Sequence, residues 1–344
     1  MKLFLKWAVS LLIAAFFVWL SFRQWPVGDL LCDEVTLTGG ALTCRAGTGQ
    51  VSWAVNLLWL LPAFGVLSLV HFLRVLRWGP LLKPLASFDF STLNRVGAVS
   101  FFAVFTLPLR LGEFARPFLI SQTGKLRKSA AFGTIAVERV MDGLMMALVL
   151  ALVLFLLPGS NTATYLSLRA GALVALAVFS GALGMLIIAY FNKTFAVKVV
   201  GVVFGLLSAR LAEKLSGIMA AFIDGMKAMP SWRNFAQFVL LTALYWGVNG
   251  FYYYCVAAAF GMAEHVGLAG SFAMMSAVAV GMMIPNSPAN VGSFWYFLLL
   301  PVSLFGAAGG GANPMAFALT VWALMMLQYS LFAGYFLVTG KVSL

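Results

Sequence analysis

Arg110, Glu113 and Arg116 stand in the stretch Pro108-Leu-Arg-Leu-Gly-Glu-Phe-Ala-Arg-Pro117, inside a run of about thirty mostly apolar residues. A charge at membrane depth costs roughly 2.5–3.5 kcal/mol on insertion scales, and it persists mainly where it is paired or functional. Pro108 removes a backbone donor, and Gly112 permits a tight turn or a close approach. A helix starting near Gly112 would aim its free N–H groups and positive dipole end at the break, with Arg110 beside them. That chemistry suits an anion such as a phosphate. Glu113 and Arg116 are spaced to pair on one helical face. The alternative is that Glu113 only neutralises an arginine and pins the chain.

A second constellation is Glu138-Arg139-Val-Met-Asp142. Glu138 and Asp142 share a face at i,i+4, and Arg139 reaches Asp142 at i,i+3. Three ionisable residues within two turns of a long apolar helix should face the Arg110/Arg116 break rather than lipid. They would bind an anion or a proton there, or form a satisfied ion network that fixes helix packing. A third element, Ile284-Pro-Asn-Ser-Pro-Ala-Asn-Val-Gly-Ser-Phe294, holds Asn286, Ser287, Asn290 and Gly292 and carries no charge. It echoes the first: Pro108 to Phe114 and Pro288 to Phe294 both read Pro-x3-Gly-x-Phe. Its polar groups would cradle a headgroup or satisfy the break's own backbone.

The elements that must position these residues are membrane spans. The chain of 344 residues is 62% hydrophobic and 9% charged, against about 25% charged in soluble domains. Six segments are long enough to cross a bilayer: roughly 4–22, 51–73, 129–157, 169–191, 234–260 and 314–338. Regions 88–122 and 266–306 are apolar but interrupted, so each is a pair of short spans or a re-entrant hairpin. The net charge of +12 does not point to nucleic acid, because the basic residues sit in short connections, which is the positive-inside pattern. That pattern places the N- and C-termini in the cytoplasm, with Arg74, Arg77 and Lys83 in a cytoplasmic connection. Region 88–122 then dips in from the cytoplasm and region 266–306 from outside.

The expected fold is thus an all-α polytopic membrane protein, a single domain over 1–344, with about six full spans and two re-entrant broken-helix hairpins in an inverted repeat. One half covers about 51–157 and the other about 234–338; such repeats place a transport site near the midplane. Residues 196–233 read as an amphipathic cytoplasmic segment on the inner leaflet. Cys32 and Cys44 share one external loop, where a disulfide is expected. There is no His/Cys cluster, so neither metal nor cofactor is expected. Asn249 and Tyr252–Tyr254 lie in the span from 234, and the aromatics read as packing or an interfacial belt rather than a ligand box.

Three stretches together suggest a family. Phe105-Thr-Leu-Pro-Leu-Arg-Leu-Gly-Glu-Phe-Ala-Arg116, Val137-Glu-Arg-Val-Met-Asp142 and Pro285-Asn-Ser-Pro-Ala-Asn-Val-Gly-Ser-Phe294 resemble, in order and spacing, signatures of the flippase-like family of lysylphosphatidylglycerol synthase transmembrane regions. Ala289 stands where relatives carry glycine, and no acidic residue follows Phe294. The resemblance implies a non-enzymatic bacterial-type plasma-membrane protein that moves a lipid, anionic by the arginines here, between leaflets. In the full-length synthases a separate soluble domain aminoacylates the lipid. The chain ends at Leu344, so lysyl transfer is not expected. The competing readings are a non-transporting scaffold for a lipid-modifying enzyme and an intramembrane lipid-modifying enzyme.

Overall fold

A computed structural model describes residues 2–25, 27–47, 51–156, 162–206, 208–227, 232–283, 287–305 and 313–339. Asn286 of the second break lies outside the described residues. The chain opens with α1 (Lys2–Gln24) and closes with α13 (Pro314–Val338). Among the described residues, six helical stretches are long and apolar enough to cross a membrane: Trp7–Gln24, Leu57–Leu82, Lys128–Leu156, Ala163–Phe191, Ala263–Gly281 and Pro314–Val338. With large apolar side chains such as Leu12, Leu61, Val174 and Phe155 facing outward, this is a multi-pass membrane protein.

Two departures from the expected spans have clear causes. The stretch expected as a span over 234–260 is a helix, α10 (Trp232–Ala259), but it is not among the six. Its tyrosines and Asn249 dilute its hydropathy, and they are tolerated because α10 packs against α2 and α11 inside the bundle. The expected span from residue 51 begins as a strand instead. Glu34–Thr38 (β1), Ala41–Arg45 (β2) and Val51–Asn56 (β3) form an antiparallel sheet in the order β1-β2-β3. Gly39 and Gly40 both have positive φ and supply the two-residue hairpin turn between Thr38 and Ala41. The loop after α1 is thus a folded β-element beside the helices.

Cys32 and Cys44 are joined in a disulfide, with their Cα atoms 5.3 Å apart. Closing a loop of this size is worth about 3 kcal/mol by chain entropy. Reduction should therefore loosen the sheet without unfolding the bundle. Limited proteolysis of reduced and unreduced protein should show new cuts confined to residues 31–56; cuts spread equally through the helices would contradict this.

β3 runs into α2 (Leu57–Leu76) with no linker, and Asn56 caps that helix by accepting from Leu58 N–H at 3.0 Å. A short turn, α3 (Gly79–Leu82), follows. Asp89 then caps α4 (Phe90–Thr106); hydrogen bonds from the Thr92 hydroxyl and backbone N–H hold its carboxyl below its ordinary pKa. The first break is a 3-10 turn over Pro108–Phe114, leading into α5 (Ala115–Ser121). Then come α6 (Lys128–Leu156), α7 (Ala163–Phe191), α8 (Lys193–Gly205) and α9 (Ala209–Lys227). The segment read as lying on the leaflet surface is this α8–α9 pair. It packs on itself, α9 docks on α6, and Ile223 is fully buried.

The second broken region has the same form as the first. After α11 (Ala263–Gly281), a 3-10 turn over Pro288–Asn290 leads to α12 (Ser293–Val302). Leu109 and Arg110 follow Pro108 at φ 52° and 58°; Ala289 and Asn290 follow Pro288 at φ 52° and 57°. These are the positive-φ non-glycine residues among those described. Such backbone costs about 1–3 kcal/mol per residue and persists where the surroundings over-determine it. The glycines four residues after each proline are both close-approach positions. A Cβ on Gly112 would overlap the Ala103–Val104 backbone of α4, and one on Gly292 would lie 2.6 Å from Val18 N of α1. The sequence echo is therefore a shared backbone conformation, and the two breaks touch each other.

Candidate functional site

Glu138 of α6 is the centre of a buried ion network and is fully buried itself. Its two oxygens accept a fork from Arg116 of α5 at 2.7 and 2.9 Å. Arg77, at the end of α2, donates to it at 3.0 Å, and Arg139 at 2.5 Å. One turn along, Asp142 accepts a second fork from Arg77 at 2.5 and 2.8 Å, and the Trp246 indole N–H of α10 at 2.9 Å. Arg139 lies 3.2 Å from Asp142. Both sandwiched guanidinium groups also meet rings: Arg77 lies over Tyr245 at 4.2 Å and Arg116 over Trp78 at 4.9 Å. α2, α5, α6 and α10 are thereby tied at one level.

Arg77 is the residue that sequence reasoning misplaced. It was read as a charge of a cytoplasmic connection, yet it is 0% exposed. The available signal was the apolar continuation Trp78-Gly-Pro-Leu-Leu82, which is itself buried.

A second, wetter part of the network is built on the first break. Arg110 donates to Glu113 at 2.6 Å, and Arg139 approaches Glu113 at 3.9 Å. The expected Glu113–Arg116 pair does not form. Arg110 has its backbone in the left-handed region, at φ 58°, and Glu113 pairs back to it across the break, while Arg116, the second residue of α5, turns to Glu138. The helix expected from Gly112 starts instead at Ala115 and is seven residues long. Arg110 also donates to the carbonyl of Met282, the C-cap of α11. Its charge thus meets the negative end of α11.

These groups open on a cavity of about 650 Å³. Arg74, Arg110, Glu113, Arg139, Asp142, Asn249 and Asn290 are among the residues of its wall; the rest is aromatic, aliphatic and Met-rich, including Phe101, Trp246, Tyr253, Tyr329, Met275 and Met325. Of the residues singled out in the sequence, Arg110, Glu113, Arg139, Asp142 and Asn290 reach this wall. Arg116 and Glu138 lie behind it, fully packed. Gly112 and Gly292 serve close packing, and Ser287 is buried, donating to the Val291 carbonyl at 2.6 Å. Asn249 lines the cavity, as does Tyr253, expected as packing; Tyr252 is buried and donates to the Val321 carbonyl at 3.0 Å.

No curated protein and no solved structure matches this chain. Residues 7–332 match the family described as the lysylphosphatidylglycerol synthase TM region. The match spans both breaks, the Glu138–Asp142 helix and the cavity between them. This chain belongs to the lysylphosphatidylglycerol synthase transmembrane-region family.

Proposed function

We propose that this protein moves an anionic, phosphate-bearing lipid between the leaflets of the plasma membrane. The observation that carries the reading is the charge balance of the cavity. Arg74, Arg110 and Arg139 line it against Glu113 and Asp142, and the Asp142 carboxylate is already forked by Arg77. The remaining positive excess lies in a wall of aromatic and methionine side chains, which suits a charged headgroup with apolar chains attached. Membership of the family supports a membrane-lipid role. The two breaks, alike in backbone and in mutual contact, support movement of two halves about a central site. On this reading both termini are cytoplasmic and the breaks enter from opposite faces, as the distribution of basic residues suggests.

The dry pairs around Glu138 hold the scaffold, and the half-exposed groups bind the lipid. Arg139 spans both, with 28% of its side chain exposed. In proteoliposomes the protein should move labelled phosphatidylglycerol faster than phosphatidylcholine. Arg139→Gln should slow that movement at least tenfold, the loss of one charge-assisted contact of about 1.5–3 kcal/mol. Folded protein that moves no lipid at all would favour the scaffold reading, for which the saturated Glu138 cluster is also suited. We read the protein as non-enzymatic, since its cavity carboxylates are held by arginines rather than set beside a nucleophile.

A further inference from the structure

The three arginines of the cavity wall are not equivalent. Arg110 and Arg139 each have a carboxylate at ion-pair distance. Arg74, in the last turn of α2, has none among the described residues within 4.0 Å. Its guanidinium carbon lies 3.9 Å above the Phe101 ring, and it makes one long bond of 3.4 Å to the Tyr329 hydroxyl. Its Nε is buried without a partner. The next guanidinium is no help: Arg116 sits over the same ring at 5.2 Å, so Arg74 has a like charge for a neighbour.

Such an arrangement is incomplete. An arginine does not shed its charge when its surroundings become apolar, as a lysine or a carboxyl does. The ring face and one hydroxyl recover part of the lost hydration. The residue lines the cavity, at the edge of a cluster whose arginines already outnumber its carboxylates. A phosphate-type oxyanion supplies the missing charge and accepts a bidentate bond from such a fork.

We infer that Arg74 is the anchor for the anionic group of the ligand, held ready by the Phe101 face and the Tyr329 hydroxyl, with Arg110 and Arg139 as secondary contacts. The inference rests on reading the cavity as a lipid site and names the residue that reads the ligand's net charge. Arg110 and Arg139 hold Glu113 in place when no ligand is bound. Among the described residues Arg74 has no carboxylate to give up, so binding there breaks none of their ion pairs.

The test uses the full chain in phosphatidylcholine nanodiscs. Dihexanoyl-phosphatidylglycerol, dihexanoyl-phosphatidylcholine and inorganic phosphate are titrated, and binding is read by native mass spectrometry. Phosphatidylglycerol should bind at least tenfold more tightly than phosphatidylcholine, and Arg74→Gln should remove that preference. Inorganic phosphate that binds as tightly as the lipid, and loses its binding in Arg74→Gln, supports the anchor and assigns the ligand to a soluble anion. Unchanged phosphatidylglycerol binding in Arg74→Gln overturns the inference. Should that variant not fold, phenylglyoxal modification of the unaltered protein decides: phosphatidylglycerol should protect Arg74 severalfold, and modification at the same rate with and without lipid overturns the inference. Binding through Arg74 without translocation would end the transport reading alone. Translocation that survives Arg74→Gln would end this inference alone.

Discussion

Glu138→Gln should destabilise the protein by roughly 3–5 kcal/mol, the cost of removing one partner from a buried ion cluster. Three guanidinium groups converge on this carboxylate. An amide of nearly the same volume keeps the packing but removes the charge. Arg116 then has no other carboxylate at ion-pair distance among the described residues, and it is fully packed between Trp78 and Phe101. Unfolding of the purified protein in detergent, followed by the fluorescence of its buried tryptophans, measures the loss. The double change Glu138→Met with Arg116→Met should recover much of it, because a packed apolar pair carries no unmet charge. A loss below about 1 kcal/mol in Glu138→Gln would mean that water or lipid already solvates these charges.

Gly112→Ala should be nearly as severe, by about 3 kcal/mol, for a reason unrelated to charge. The added methyl would overlap the backbone of Ala103 and Val104, and backbone inside α4 does not step aside as a side-chain tip does. Elsewhere the same change is mild: at Gly65 the methyl would meet nothing within 4 Å, and Gly65→Ala should be neutral or slightly stabilising. The comparison of the two by thermal unfolding separates close packing from helix propensity. Equal midpoints in the two variants would show that the first break does not press on α4.

What could be read in the sequence divides along physical lines. Local sterics speak plainly: Pro108 and Pro288, each followed four residues later by a glycine, announced two breaks, and both breaks have the same backbone. Carboxylates in an apolar helix also speak plainly, because they must find cations, and Glu138 found Arg116. The disulfide between Cys32 and Cys44 followed from one shared loop. Long-range choices were harder. Arg77 and Arg74 stand where a positive-inside count expects basic residues, and only the packing of α2 against α10 and α4, with the Arg77 pairs to Glu138 and Asp142, shows that one is sealed and the other lines a cavity. Which of two arginines Glu113 would take, each three residues away, depended on the left-handed backbone at Leu109 and Arg110, which those residue types do not announce. The sheet had its signal in Gly39-Gly40 between alternating Val35-Thr-Leu-Thr and Leu42-Thr-Cys, but an apolar run from residue 51 reads as well for a span as for a strand.

The junction at Asn56 has a further consequence. It is both the last residue of β3 and the cap of α2, so nothing absorbs a change in length between the pinned sheet and the membrane helix. Each residue added to or removed from β3 would turn the helix by about 100° about its axis. Arg77 would leave Glu138 and Asp142, Arg74 would leave the cavity, and outward leucines would take their places. The small sheet therefore works as an index mark. It sets the rotational phase of α2, and with it which way two arginines some thirty ångströms away along the helix will point.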